Sequence, residues 1–417
     1  MSKTAAGSHT AVLVGLGLCV GLALAGTTLA QSSPGGGTPI SSCTVLDDSG
    51  RYELTRDLAA ETGVCLYVRS GDVTIDGNGH TVTGSGAPDS TGVLVFNGTV
   101  DQRRRGPELS NVTVRDLRVR GWQTGVGLGV FAHDGPRATL ENVTAADNHV
   151  GVRLLDADRS TLRNVTASGG SDGVLLWETA DVRATDLVVA GNDDTGLYLA
   201  QEVTNGTFRR VTAVDNDDEG VSFSTSVARN RLADARVTAN GGPGIEFADS
   251  YRNVVENTTV VGNGGPGVLS NPASEDTLRN VTIQDNAGSA YLSESSFGGV
   301  AAENARLSAR TTVDWTSGVE RIAVSSSPPA PPVNATVVSD SVRIETYEGR
   351  NATADVRLGY DRQAVSETDG RVALWQWTGG NWTRLSNVTV DERTGTVSGS
   401  VSGDGIVAVL SSGADTN

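Results

Sequence analysis

From about Val114 to Leu307 the apolar positions recur in short alternating stretches rather than in helical arcs. Gly125-Val126-Gly127-Leu128 returns as Gly151-Val152-Arg153-Leu154, Gly173-Val174-Leu175-Leu176, Gly196-Leu197-Tyr198-Leu199, Gly220-Val221-Ser222-Phe223, Gly244-Ile245-Glu246-Phe247 and Gly267-Val268-Leu269-Ser270. A degenerate copy reads Ser289-Ala290-Tyr291-Leu292, and the successive spacings are 26, 22, 23, 24, 24, 23 and 22 residues. A second column precedes this one: Asp116, Asn142, Asn164, Asp186, Arg210, Asp234, Asn257, Asn280 and Asn304. Apolar residues lie two before it (Val114, Leu140, Leu162) and three after it (Val119, Ala145, Ala167). A third column falls six residues further on: Trp122, Asn148, Gly170, Asn192, Asn216, Asn240, Asn263 and Asn286.

Each copy therefore holds short period-2 strands separated by Asn, Asp or Gly corners. Asn and Gly suit such corners because they tolerate left-handed backbone angles. Helical repeats would need apolar residues every 3.6 positions, and leucine-rich repeats would need a helix in each copy. Neither pattern is present. Three short strands per 22–24 residues predict an all-β chain, a parallel β-helix of about ten coils, each adding ~4.8 Å. Val, Leu and Ile would form interior ladders and Asn the corner ladders.

The region opens with Val73-Thr74-Ile75-Asp76-Gly77-Asn78-Gly79-His80-Thr81-Val82. With the repeats, this resembles the right-handed parallel β-helix family of pectate-lyase-like architecture, closest to secreted archaeal surface proteins and to the maturation proteins of nitrous oxide reductase. The segment from Ile40 to Leu66 is similar to the N-terminal cap of such surface proteins. On this reading Cys43 and Cys65, 22 residues apart, lie one coil apart in a stacked column. Adjacent coils bring Cα atoms to ~4.8 Å, within reach of a disulfide, and a bridge is expected there.

The ends read differently. Lys3 and an apolar run from Ala11 to Ala25, followed by Thr28-Leu29-Ala30, predict a signal peptide over 1–30, with an uncleaved anchor as the alternative. Residues 31–39 read as a flexible linker and 40–310 as the β-helix. Residues 311–332 read as a Pro/Ser-rich connection, ending in Pro328-Pro329-Ala330-Pro331-Pro332. Alternating strands over 333–413 predict a small antiparallel β-sandwich. Export would place the cysteines where a disulfide persists, leaving a secreted or cell-surface protein with no stable membrane span after cleavage.

Composition narrows the function. The chain has 49 Asp+Glu against 32 Lys+Arg, a net charge of −17, and Lys3 is its sole lysine. Such a balance excludes a nucleic-acid binder, which needs a basic face, and resembles proteins of salt-loving organisms. Gly at 52 of 417 residues, against roughly 7% on average, fits a corner-rich coil.

Candidate chemistry concentrates at two places. Corner carboxylates Asp193 and Asp194, then Asp217, Asp218 and Glu219 one coil on, would stack close together, with Asp172 one coil before. They suit a hard cation such as Ca²⁺ or a glycosidase carboxylate pair with Asp194 and Asp218; a solvated acidic corner is the plain alternative. The outward positions Arg153, Tyr198 and Tyr291, with Trp177 nearby, form the candidate ligand surface. Trp375, Trp377 and Trp382 crowd one hairpin, as a sugar-stacking platform or as core packing.

Resemblance also sets tests that the chain does not pass. It lacks the Gly-His-Gly and Arg-Ile-Lys segments of polygalacturonases and the Asp-Pro-His-Asp segment of alginate epimerases, and it has no copper-type Met cluster. Of eleven Asn-x-Ser/Thr sequons, four sit in the second column. Glycans are expected mainly at the other seven: Asn97, Asn111, Asn205, Asn334, Asn351, Asn381 and Asn387. The expectation is an exported β-helix that binds extracellular or envelope polysaccharide or builds surface structure. The alternatives are a lyase, epimerase or hydrolase using the corner carboxylates, and a maturation accessory.

Overall fold

Period-2 alternation becomes strand wherever one side is buried, and this chain buries the same side coil after coil. The computed structural model describes residues 36–97, 109–130, 135–325, 327–366 and 370–413. The expected signal peptide over 1–30 and most of the linker lie outside these. The linker's end is already ordered, as the strand Thr38–Ile40.

Two long parallel sheets wind around one core, as a solenoid of about ten coils. The long face is built from Val112–Arg120, Ala138–Ala146, Thr161–Ser168, Arg183–Ala190 and Thr207–Val214, with Val114, Leu140, Leu162, Ala184 and Phe208 in one inward row. From residue 231 to 284 each strand splits in two, as in Arg231–Ala233 and Arg236–Thr238, before Val300–Arg306 runs unbroken again. The short face stacks Thr124–Leu128, Val150–Leu155, Asp172–Trp177, Leu197–Gln201, Val221–Phe223, Ile245–Phe247, Val268–Ser270 and Tyr291–Ser293. Single bridges Ala180–Thr204, Thr204–Ala228 and Ala228–Tyr251 mark the third side.

The second column is where the long face bends. All nine of its residues have φ of 49–56°, a region that Asn and Asp enter most readily among residues with a side chain. Arg210 pays for the same backbone with a bidentate pair, Nε and Nη2 donating to Asp186 at 2.7 and 2.8 Å. The third column is an interior amide ladder. Nδ2 of Asn192, Asn216, Asn240 and Asn263 donates to Oδ1 of the next Asn at 2.7–2.8 Å. The same nitrogens of Asn216, Asn240 and Asn263 reach the carbonyls of Val189, Ala213 and Val237. These side chains are buried yet satisfied, which is the condition for burying an amide. The glycine column is explained by this ladder. A Cβ on Gly220 would meet Val237 Cγ1 at 2.4 Å and Asn240 Nδ2 at 2.7 Å.

The expected disulfide is formed: Cys43 and Cys65 are bridged, with Cα atoms 4.4 Å apart. It ties the edge strand Thr44–Leu46 to its neighbour Val64–Val68.

In place of the connection expected over 311–332, two strands close the coil. Thr311–Trp315 runs antiparallel to Val300–Arg306, and Val319–Ser325 antiparallel to Tyr291–Ser293. The physical reason is the open edge of the last coil, whose N–H and C=O groups Thr311–Trp315 pairs, while Val313 and Trp315 alternate inward onto the core. The antiparallel strands that follow, Ala335–Thr346, Thr353–Gly359, Arg371–Thr378, Asn381–Arg384, Val388–Asp391, Thr396–Ser402 and Gly405–Ser412, add to the same two sheets. Among the described residues no helix is long and apolar enough to cross a membrane.

Candidate functional site

On the short face, inward Val and Leu alternate with an outward column. Register places Gly127, Arg153, Leu175, Tyr198, Ser222, Glu246, Leu269 and Leu292 in that column. Leu292 stands where Tyr291 was expected. Val268 pairs with Tyr291 and Leu269 with Leu292, so the degenerate last copy is offset by one residue, and a one-residue slip turns a side chain to the other face. Tyr291 is fully buried, its ring 5.4 Å from that of Trp315 and its hydroxyl accepting the Val300 amide at 3.0 Å.

Arg153 and Tyr198 do share the outward column, with Leu175 on the coil between them. Arg153, Leu175 and Tyr198 occupy three successive coils and are half-buried. Arg153 has no hydrogen-bond or ion-pair partner among the described residues, and its Nε is closed off from solvent. Burial lowers its guanidinium from the ordinary range. Trp177 lies on the Leu175 strand, and its Nε1 donates to Glu178 at 3.0 Å.

Beside this column runs the acidic corner. Asp194, Asp218 and Glu219 bring one carboxylate oxygen each within 4.8 Å of one another. Asp193 and Asp217 are not in that group; their amides donate to Gly170 and Asn192 carbonyls at the same corner. Three carboxylates make part of the six to eight oxygens that Ca²⁺ takes, and one oxygen of Glu219 already accepts from Thr195 at 2.9 Å.

The electrostatics couple corner to column. Burial, then the charge of Asp194, pushes the Asp172 carboxyl up to about 6, against the pull of His149. Burial, then Asp194, raises Asp218. Glu219 and Glu246 rise chiefly through burial, then through neighbouring carboxylates. Tyr198 is raised by burial first, then by Asp172, Glu219 and Glu246. Asp172 is the residue that pattern reading undervalued: it starts a strand rather than sitting in an acidic run, and its depth becomes visible only when the coils stack.

The Trp hairpin resolves differently. Leu374 and Gln376 face inward, so alternation sets Trp375 and Trp377 on the outer side. Trp377 meets Trp382 edge-on at 5.7 Å, and Trp382 Nε1 donates to the Ala330 carbonyl at 2.9 Å. That bond ties the proline segment to the hairpin.

The family described as "Right handed beta helix region" matches residues 102–246 and 225–307. With the parallel coils on the page, that match decides the architecture. The chain is a right-handed parallel β-helix protein. No curated protein sequence matches it. Among solved structures, this β-helix is similar to a mutant of the periplasmic alginate epimerase AlgG, with TM-score 0.53, 13% identity, and 65% of this chain and 77% of that one covered. The mannuronan C-5 epimerase AlgE4 A-module of Azotobacter vinelandii gives TM-score 0.48 and 16% identity over 64% of this chain and 85% of that one. The Dettilon tailspike protein gives 0.47 and 10% over 90% and 86%. At these identities the likeness is one of fold.

Proposed function

We propose that this β-helix is an exported, surface-located protein that binds an extracellular polysaccharide along the short face. The observation that carries the reading is the outward column Arg153, Leu175, Tyr198 and Ser222, one residue per coil and flanked by Trp177 and half-buried carboxylates. A repeat of ~4.8 Å close to the length of one sugar residue suits an extended chain. Tyr and Trp rings take sugar faces, and the carboxylates accept hydroxyls. The disulfide fits export. The fold relatives named for alginate, mannuronan and tailspikes support a saccharide as ligand.

A second reading rests on Asp172. A carboxyl titrating at about 6, within electrostatic reach of His149 and Tyr198, suits general acid–base work near neutral pH. One experiment separates the two. The protein is incubated at high salt with neutral and uronate polysaccharides, with and without Ca²⁺, and binding and product are both measured. Binding weakened at least tenfold by Tyr198→Ala, with no new reducing ends or unsaturated products, supports the binder. Product lost in Asp172→Asn establishes the enzyme, and absence of all binding overturns both.

A further inference from the structure

The strands that close the solenoid carry a feature that opposes the charge of the whole chain. Two adjoining clefts, about 530 and 590 Å³, lie on the outer side of the long sheet's antiparallel continuation and share Asn304, Thr312 and Arg357. Four arginines line the larger one: Arg306, Arg310, Arg357 and Arg362. None of the four makes an ion pair among the described residues, although eleven other arginines do. On a chain of net charge −17, four guanidinium groups gather in one concavity beside a single carboxylate, Asp361, and of the four only Arg362 has an acceptor among the described residues, the Arg393 carbonyl.

Their gathering follows from register. Arg306 pairs with Thr312, Thr312 with Arg357, and Arg357 with Ser398, so one outward row crosses four strands. Gly359, two residues beyond Arg357, leaves the floor without a side chain where Arg310 approaches; a Cβ there would lie 2.9 Å from Arg310 Cβ. Nearby carboxylates are committed elsewhere. Asp361 Oδ1 accepts the Gln363 and Ala364 amides, and Asp340 accepts the hydroxyls of Ser308 and Thr311.

The neighbouring row has the opposite sign. Asp314 and Asp355 face each other directly across two strands, a like-charge pairing that costs stability; one oxygen of Asp314 already accepts the Asn304 amide and one of Asp355 the Ser400 hydroxyl, which leaves one oxygen on each for a ligand. Both line the smaller cleft. A polyphosphate backbone would meet these aspartates as repulsion. A sugar with an acidic substituent would not, because its hydroxyls donate to the carboxylates while its anion faces the guanidinium groups.

We propose that the paired cleft is a binding site for an anionic saccharide, a sugar bearing carboxylate or sulfate, with the arginines holding the anion and Asp314 and Asp355 holding ring hydroxyls. It lies on a different sheet from the short-face column, so the two sites stand or fall separately.

Affinity of the full chain is measured for hexagalacturonate, neutral maltohexaose, inorganic phosphate and a DNA duplex, with near-UV circular dichroism as the folding control. The expected result is that hexagalacturonate binds and that Arg306→Gln/Arg357→Gln weakens it at least tenfold. Asp355→Asn is expected to weaken it about threefold or more, and Tyr198→Ala to leave this arginine-dependent component unchanged. If the double variant misfolds, Arg310→Gln carries the same expectation. Unchanged affinity in the arginine variants overturns the proposal. So does maltohexaose, phosphate or duplex DNA binding as tightly as hexagalacturonate.

Discussion

A second amide ladder ends on a charge, and its worth can be measured. Asn230 Nδ2 donates to Asn253 Oδ1 at 3.0 Å, and Asn253 Nδ2 donates to Asp276 Oδ1 at 2.9 Å. Asp276 also accepts the Asn253 amide at 2.6 Å and the Ser250 hydroxyl at 3.1 Å, and it is 0% exposed. Burial outweighs those bonds and pushes its carboxyl from 3.8 up to about 6. A raised value means that the folded chain holds this proton more tightly than the unfolded chain does. Stability is therefore lost as pH rises from about 4 to 6, by about 3 kcal/mol once the group is fully ionised. Asp276→Asn keeps the shape and the accepting oxygen and removes the charge. The variant should gain about 1–3 kcal/mol at pH 8, the lower figure if its new N–H₂ is imperfectly partnered, and about nothing at pH 4. Urea unfolding of both proteins at the two pH values measures the difference. A variant less stable than its parent at pH 8, or a difference independent of pH, would refute the reasoning.

Other expectations follow from the same geometry. Asn216→Ala strands the Asn192 side-chain donor and the Val189 carbonyl in the core and should cost about 2–3 kcal/mol by denaturant unfolding. Cys43→Ser should cost about 3 kcal/mol and speed amide exchange over 38–68 while leaving 150–260 unchanged. Because the Asp172 carboxyl is pushed up to about 6, uronate binding on the short face should strengthen as pH falls from 7 to 5; Asp172→Asn should reduce that dependence, the rest coming from the raised Asp218, Glu219 and Glu246. Glycopeptide mapping should find less occupancy at Asn142, Asn164 and Asn280, whose side chains join the bend ladder, than at exposed Asn351, Asn381 and Asn387.

The coil was legible in the sequence because each of its constraints repeats. A left-handed bend, a buried amide and a glycine beneath it each demand one residue type every 22–24 positions, and Arg210 alone breaks the Asn/Asp bend column. The copy at 289–292 is not legible on its own because its register depends on the neighbouring coil rather than on its own letters, and Tyr291 therefore points inward. The strands at 311–325 hid behind the prolines that follow them. The depth of Asp172 and the gathering of the four cleft arginines were not legible for one common reason. A raised carboxyl needs depth, and Arg306, Arg310, Arg357 and Arg362 meet only through antiparallel register, which no short-range spacing encodes.

The lengths of the outermost strands carry a consequence for how many molecules can share one fibre. The unsplit interior strands of the long face, from Ala138–Ala146 to Thr207–Val214, run to eight or nine residues. The first strands, Thr38–Ile40 and Thr44–Leu46, have three, and the last in each sheet, Asn381–Arg384 and Val388–Asp391, have four. A solenoid is a template for copying itself, since each coil offers the next a full set of hydrogen bonds. Here the template is worn down at one end and turned antiparallel and polar at the other. Among the described residues, both ends therefore offer a further copy only a short row of backbone partners.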